Sequence, residues 1–226
     1  MIQKVEMTGH WSLKWPLITL GIYGGLLFPL THLVFPGNRW SLYFYPSYFG
    51  LVLTVLLLSG RATWGDLGFG RDGGFRHLLL GLVPGGLVIA AVPLLDQFIQ
   101  TSGLADTELF RGANQRVGSP DPIFYSMIQI LFIPILEQAF FFGFVTQSLI
   151  RKMKPASSLY LGTLIFTLAH FDIELGMFFI GFAGAGLYFL TGTIYAGLAF
   201  QIACHTGGFL LMEFYPRVLT LLGFLF

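Results

Sequence analysis

Charged residues are scarce in this chain. Its 226 residues include only 12 Lys and Arg and 11 Asp and Glu, or 10% in all, whereas soluble domains carry about 25%. So few charges cannot form the polar surface that a soluble globule of this size needs. The net charge of +1 offers no basic field to a nucleic-acid backbone. The composition therefore argues against a soluble enzyme, a disordered protein and a nucleic-acid binder, and it predicts a membrane protein.

Cysteine is nearly absent too. The single Cys204 excludes an intramolecular disulfide and a zinc site built from several cysteines.

Apolar residues make up 55% of the chain, and they form runs long enough to cross a bilayer as helices. They predict an all-α, polytopic transmembrane bundle with about seven spans, within a range of six to eight, in a single membrane domain, 1–226. The predicted spans are 16–36, 40–59, 78–98, 122–150, 157–172, 176–194 and 196–214. A last apolar segment, 218–226, is too short to cross alone.

The loop charges predict an orientation. With seven spans, one side of the membrane receives eight Lys and Arg residues and the other receives four. Because positive residues favour the cytoplasmic side, we expect a multi-pass protein with a cytoplasmic N-terminus. The longest polar loop, 99–121, has room for a lid or a substrate-facing segment.

One carboxylate lies where lipid should exclude it. Glu137 sits in the middle of the fourth apolar run, and Pro134 before it removes a backbone donor and loosens the helix. An ionisable group at mid-span costs roughly 2.5–3.5 kcal/mol, so it marks a functional site by default. A carboxyl removed from water suits proton transfer, although a neutral, hydrogen-bonded structural Glu is the simpler alternative.

Two histidines, His170 and His205, lie in two further spans. Buried polar groups on three helices must contact each other or water, so we expect them to share a polar cavity with Glu137. Such a set could activate a water, hold zinc with an open position or relay protons in a transporter. No local zinc-binding spacing such as H-E-x-x-H is present.

Three segments carry these groups: Glu137-Gln-Ala-Phe-Phe-Phe-Gly143, Phe166-Thr-Leu-Ala-His170 and His205-Thr-Gly-Gly-Phe209. Together they resemble the CAAX-protease and bacteriocin-processing family of intramembrane endopeptidases (CPBP, or Abi). That family has E-E-x-x-x-R, F-x-x-x-H and H-x-x-x-N in this order, each on its own transmembrane helix. The resemblance covers 122–214, the expected catalytic core, and extends weakly to the connector beginning at Trp64.

The resemblance implies a role for each residue that it matches. In the family, the first glutamate and the second-motif histidine are thought to activate water, which assigns Glu137 and His170. The third-motif histidine and asparagine are thought to stabilise the oxyanion, so His205 would be the oxyanion or proton donor. Supporting positions are Gln138, Phe166 and Phe209. If a metal is bound, the same Glu137, His170 and His205 would hold it.

Three motif positions depart from the family. Gln138 replaces its second glutamate, Phe142 its arginine and Phe209 its asparagine. Losing an acid and an arginine together leaves no orphan charge, which indicates a divergent branch. Phe209 donates no hydrogen bond, which weakens an oxyanion hole.

The resemblance implies an intramembrane protease that cleaves a membrane-anchored peptide or protein at the lipid bilayer. Divergent members process C-terminal sorting tails in bacteria, which would place the chain in a prokaryotic cytoplasmic membrane. We expect a glutamate-type reaction without a cofactor, and zinc remains an alternative. The substituted positions also suit an inactive relative that acts as a tail-binding, immunity or scaffold protein.

Overall fold

The part of the chain that the structure describes is helical, as predicted. The structure is a computed structural model and describes residues 12–34, 41–70, 73–104, 127–171 and 175–221. These residues form eight continuous helices and no strand. The helices are α1 (Lys14–Ile22, Tyr23–Leu27 and Phe28–Val34, joined end to end), α2 (Ser41–Leu58), α3 (Gly74–Thr101), α4 (Ile128–Ile150), α5 (Pro155–Ala169), α6 (Leu175–Thr191), α7 (Tyr195–Phe214) and α8 (Pro216–Leu221).

Each of the seven predicted apolar runs overlaps, in its described part, one of the helices α1 to α7. Among the described residues, two helices, α3 with 28 residues and α4 with 23, are both long and apolar enough to cross a membrane. Shorter apolar stretches lie in α2 (Tyr43–Leu58), α5 (Pro155–Ala169) and α6 (Leu175–Thr191). The count of seven spans therefore stays a prediction. Residues 105–121 of the predicted lid loop lie outside the described residues.

Helix α4 forms the centre of the bundle, and α3 lies at its edge. Of the most apolar window of each helix, 61% is buried in α4 and 17% in α3. The outer face of α3 is lined with large apolar side chains, which suit contact with lipid tails. The buried aromatic core around α4 is built from Phe49, Phe140, Phe141, Phe142, Phe144 and Phe166.

Helix α7 packs along α3 more extensively than along any other described helix. Small residues make this close approach possible. A Cβ at Gly81 would lie 1.9 Å from the carbonyl oxygen of Ala196, and one at Gly85 would lie 2.4 Å from the Cβ of Ala203. Close packing through small residues is the usual way for helices to associate in lipid. It fixes the position of α7, which carries His205.

The connector between α2 and α3 is partly buried in the bundle. Leu67 is buried, and its carbonyl oxygen would lie 2.3 Å from a Cβ at Gly143 of α4. The backbone N–H of Ile194, just before α7, donates to the carbonyl oxygen of Gly68 at 3.1 Å. The connector therefore ties α4 to the start of α7.

The C-terminal apolar segment begins within α8, which folds back against α3. Val218 is buried there, and the Nε of Arg217 lies 3.4 Å from Oδ1 of Asp96 in α3.

Candidate active site

Glu137 lies at a change of helical geometry in α4. The α-helical residues Ile133–Glu137 are flanked by two π-helical stretches, Ile128–Phe132 and Gln138–Thr146. Pro134, at the start of the α-helical part, has no N–H to donate, in line with the loosening predicted from the sequence. Wider π-helical turns occur often at functional sites. The Glu137 side chain is only 2% exposed.

His170, directly after α5, contacts this carboxylate. Its Nε2 lies 3.0 Å from Oε1 of Glu137, and its Nδ1 lies 2.7 Å from the carbonyl oxygen of Phe166. A carbonyl oxygen only accepts, so Nδ1 carries a hydrogen and donates it. The contact between Nε2 and Oε1 then requires one proton, on either the imidazole or the carboxyl. Glu137 and His170 therefore form a pair that shares a proton.

Two more side chains donate to Glu137. The hydroxyl of Tyr45 in α2 donates to Oε1, and the side-chain amide of Gln201 in α7 donates to Oε2. Gln201 Nε2 also lies 3.5 Å from Nε2 of His205, one helical turn further along α7. His205 is thus joined to the pair through Gln201.

Gln138 extends this network behind the carboxylate. Its Nε2 donates to Oε1 of Gln201 at 2.7 Å. Two glycines give the side chain room: a Cβ at Gly197 would lie 2.4 Å from its Oε1, and one at Gly184 would lie 3.2 Å from its Nε2. The position that holds a second glutamate in the family is therefore a buried, hydrogen-bonded amide.

A cavity of about 190 Å³ opens beside His205. Most of its lining is apolar, and it lies between the start of α4, the start of α6 and the second half of α7. The residues that line it are Gln129, Ile130, Gly176, Met177, Ile180, Cys204, His205, Gly208, Phe209 and Met212.

The three aromatic motif positions have different environments. Phe142 is fully buried and stacks on Phe166, with ring centroids 5.7 Å apart. The Phe166 ring lies 4.7 Å from the ring of His170 and supports it from one side. Phe209 lines the cavity together with His205. The site thus has an apolar wall where the family has an arginine and an asparagine.

Comparison with known families points to the same segment. Residues 119–207 match the family described as Type II CAAX prenyl endopeptidase Rce1-like. The chain carries a CAAX-protease segment. The match overlaps the predicted core and includes Glu137, His170 and His205. Searches of curated proteins and of solved structures gave no significant match.

Members of that family are proteases that are integral to membranes and act on membrane-associated proteins. Gln138, Phe142 and Phe209 differ from the residues that the family has at the corresponding motif positions.

The side chains of the candidate site do not fit a metal centre as they stand. Among the described residues, no three His, Cys, Asp or Glu side chains are grouped as possible metal ligands. Both oxygens of Glu137 accept from protein donors, and His170 points its Nε2 at the carboxylate itself. The reaction proposed for this site therefore uses no metal ion.

The sequence predicted part of this site and missed two of its members. The structure brings Glu137 and His170 into contact and places His205 one amide away. The sequence motifs did not predict Tyr45 or Gln201 as members of the site. Gln201 did leave a signal, because a polar residue four positions before His205 lies on the same helix face. Tyr45 left none, since aromatic residues are common throughout these apolar runs.

Proposed function

We propose that this chain is an intramembrane endopeptidase that hydrolyses a peptide bond in a membrane-associated peptide or protein, with Glu137 as the base. One observation carries the proposal: the almost fully buried Glu137 carboxylate contacts Nε2 of His170 within the protease-family segment. General bases must lie within hydrogen-bond reach of their partners, and this pair does.

The contacts of Glu137 leave one of its acceptor sites open to a water. A carboxylate offers about four acceptor sites, and Tyr45, His170 and Gln201 occupy three of them. The remaining site is on Oε2, the oxygen on the side of Gln201 and His205. A water bound there would lie between the base and the histidine that lines the cavity.

The reaction follows from this placement. Glu137 takes a proton from the water, and the water oxygen bonds to the carbonyl carbon of the substrate. His205, at the edge of the cavity, donates a hydrogen bond to the oxyanion that forms. The carbon–nitrogen bond then breaks, and the proton held by the Glu137–His170 pair passes to the leaving nitrogen. Phe209 supplies no donor, so His205 bears this role alone among the motif residues.

The lining of the cavity favours an apolar residue next to the scissile bond. Met177, Ile180, Phe209 and Met212 surround the space beside His205. A membrane-anchored segment could present such a residue without passing through water.

The test uses the full chain in phospholipid vesicles with two probe peptides. One probe is a prenylated peptide ending in a CAAX sequence, and the other has the same sequence on a transmembrane anchor. We expect the wild type to cleave at least one probe and Glu137→Gln to lose about 10²–10⁴-fold in rate, the usual contribution of a general base.

The matched control is Glu213→Gln, the same chemical change on another helix, α7, which should keep full activity. Cleavage of neither probe by the wild type, or full activity in Glu137→Gln, would refute the proposal. Retained biological function in Glu137→Gln cells would instead favour the inactive tail-binding alternative.

A further inference from the structure

Two buried side-chain amides, those of Gln138 and Gln201, form a chain of hydrogen bonds that ends at Glu137. Gln138 donates to Gln201, and Gln201 donates to Oε2 of Glu137. The exposed fractions of these three residues are 0%, 1% and 2%, so water does not compete for their hydrogen bonds. They come from two helices: α4 supplies Gln138 and Glu137, and α7 supplies Gln201.

The carboxylate of Glu137 sets the direction of these hydrogen bonds. Oε2 accepts, so Gln201 must turn its NH₂ group toward Glu137. Its carbonyl oxygen then faces Gln138, which must present NH₂ in turn. The proton shared with His170 lies on the other oxygen, Oε1, so it leaves this order unchanged. Each amide is held in one of its two possible orientations.

A glutamate at position 138 would break the order. An ionised carboxylate has no hydrogen to donate and would face the carbonyl oxygen of Gln201. If the Gln201 amide turned over, its oxygen would face Oε2 of Glu137 instead. Either arrangement places two acceptors against each other at a buried site, where polar groups left unpaired are costly.

No described Lys or Arg side chain is recorded in contact with Gln138. Phe142, one turn along α4, stands where the family has its arginine, and Gly184 of α6 lies against both side chains. A Cβ at Gly184 would lie 3.0 Å from the Phe142 ring and 3.2 Å from Nε2 of Gln138. An ionised carboxylate introduced at position 138 would therefore be buried without a cation to pair with it.

We propose that Gln138 and Gln201 are positioning residues that hold Glu137 as a hydrogen-bond acceptor, and that this chain requires an amide at the position where its family has a second glutamate. The inference rests on the proposed function. It has an unexpected consequence: restoring the residue typical of the family should inactivate this protein.

The experiment compares Gln138→Glu, Gln138→Met and the wild type in the vesicle assay. Gln138→Met removes the donor to Gln201 and should lower kcat about 10-fold, as expected when one buried hydrogen bond is lost. Gln138→Glu should lower kcat about 100-fold or more, because it also sets two acceptors against each other. KM should change little in either variant, since position 138 does not line the cavity.

Stability separates positioning from folding. Oε1 of Gln138 is buried without a hydrogen-bond partner among the described residues. Gln138→Met therefore removes one unsatisfied acceptor while it leaves Oε1 of Gln201 without its donor, so the variant should unfold near the wild-type temperature. Gln147→Met is the matched control, because Gln147 is a second buried amide on α4 outside this network. It should keep the wild-type kcat.

The pH profile supplies a readout that a purely structural role would not move. Below neutral pH, the carboxyl that Gln138→Glu introduces can take up a proton and donate as the amide does, so the rate of this variant relative to the wild type should rise as the pH falls. The rate of Gln138→Met should not. The titratable groups around this network are Glu137 on α4, His170 after α5, His205 on α7, Tyr45 on α2 and Tyr23 on α1. Dividing by the wild-type rate at each pH removes the contribution of these groups that both proteins share.

A double variant keeps the inference testable even if Gln138→Glu alone misfolds. Adding Phe142→Arg to Gln138→Glu supplies the missing cation one turn away and should recover at least 10-fold in rate. Wild-type kcat in Gln138→Glu, or equal rates in Gln138→Glu and Gln138→Met at every pH, would overturn the inference. If Glu137→Gln is inactive at the same time, the proposed function survives that failure.

Discussion

The close crossing of α3 and α7 requires a glycine at position 81 of α3 but not at position 86 of the same helix, and this difference can be tested. Gly81 faces Ala196 so closely that an added Cβ would lie 1.9 Å from its carbonyl oxygen and 2.8 Å from its carbonyl carbon. At Gly86 a Cβ would meet nothing within 4 Å. Both substitutions to alanine add the same methyl group to the same helix.

The size of the effect follows from these distances. A carbon and a carbonyl oxygen in contact stay about 3.3 Å apart, so Gly81→Ala must separate the helices by about 1.4 Å. The obstacle is backbone, which cannot rotate aside, and Gly85 holds the same crossing one turn away. Overpacking costs about 1–3 kcal/mol, whereas glycine to alanine in a helix gains about 1 kcal/mol. Both variants share that gain, so they should differ by the overpacking cost alone, about 1–3 kcal/mol.

Thermal unfolding of both variants and the wild type in one detergent measures this difference. For a chain of this size the gap corresponds to about 2–12 °C. Because α7 carries Gln201 and His205, Gly81→Ala should also lower the cleavage rate. If Gly81→Ala unfolded at the same temperature as Gly86→Ala or above it, the close crossing described above would be wrong.

Two further predictions concern single contacts. Tyr45→Phe removes one hydrogen bond to the site's carboxylate and should lower kcat about 10-fold, while Tyr48→Phe, whose hydroxyl donates to a backbone carbonyl, should not; equal rates would remove Tyr45 from the site. Arg217→Met takes away the cation beside Asp96 and should destabilise the fold by about 1–3 kcal/mol, measured by thermal unfolding. The exposed Lys152→Met should change stability little, and a matching loss there would contradict the role of the ion pair.

The sequence predicted the helices because the physical demand behind them is local. A chain with so few charges and such long apolar runs must satisfy its backbone within each segment, and in lipid a helix does so. The same demand singled out Glu137: a lone carboxyl in an apolar run must find a partner. It did not settle how many helices span the membrane, because the length and hydropathy of a run do not determine how its helix lies in the bundle.

The network around Glu137 could not be predicted in the same way. Tyr45 precedes Glu137 by 92 positions and Gln201 follows it by 64, and neither residue is unusual in its own segment. Their contacts depend on how closely the helices approach and at what angle, which the glycines at the crossings decide.

The sequence alone predicted a helical chain of low charge in which one carboxylate and two histidines lie within apolar segments. Only the tertiary structure decided that His170 turns Nε2 toward Glu137, that Tyr45 and Gln201 donate to the same carboxylate, and that Gln138 donates to Gln201. The physical reason is range. Burial and backbone satisfaction act along a segment and are visible in its residues, whereas the orientation of a hydrogen-bond chain is set by which donors and acceptors neighbouring helices bring within about 3 Å of each other.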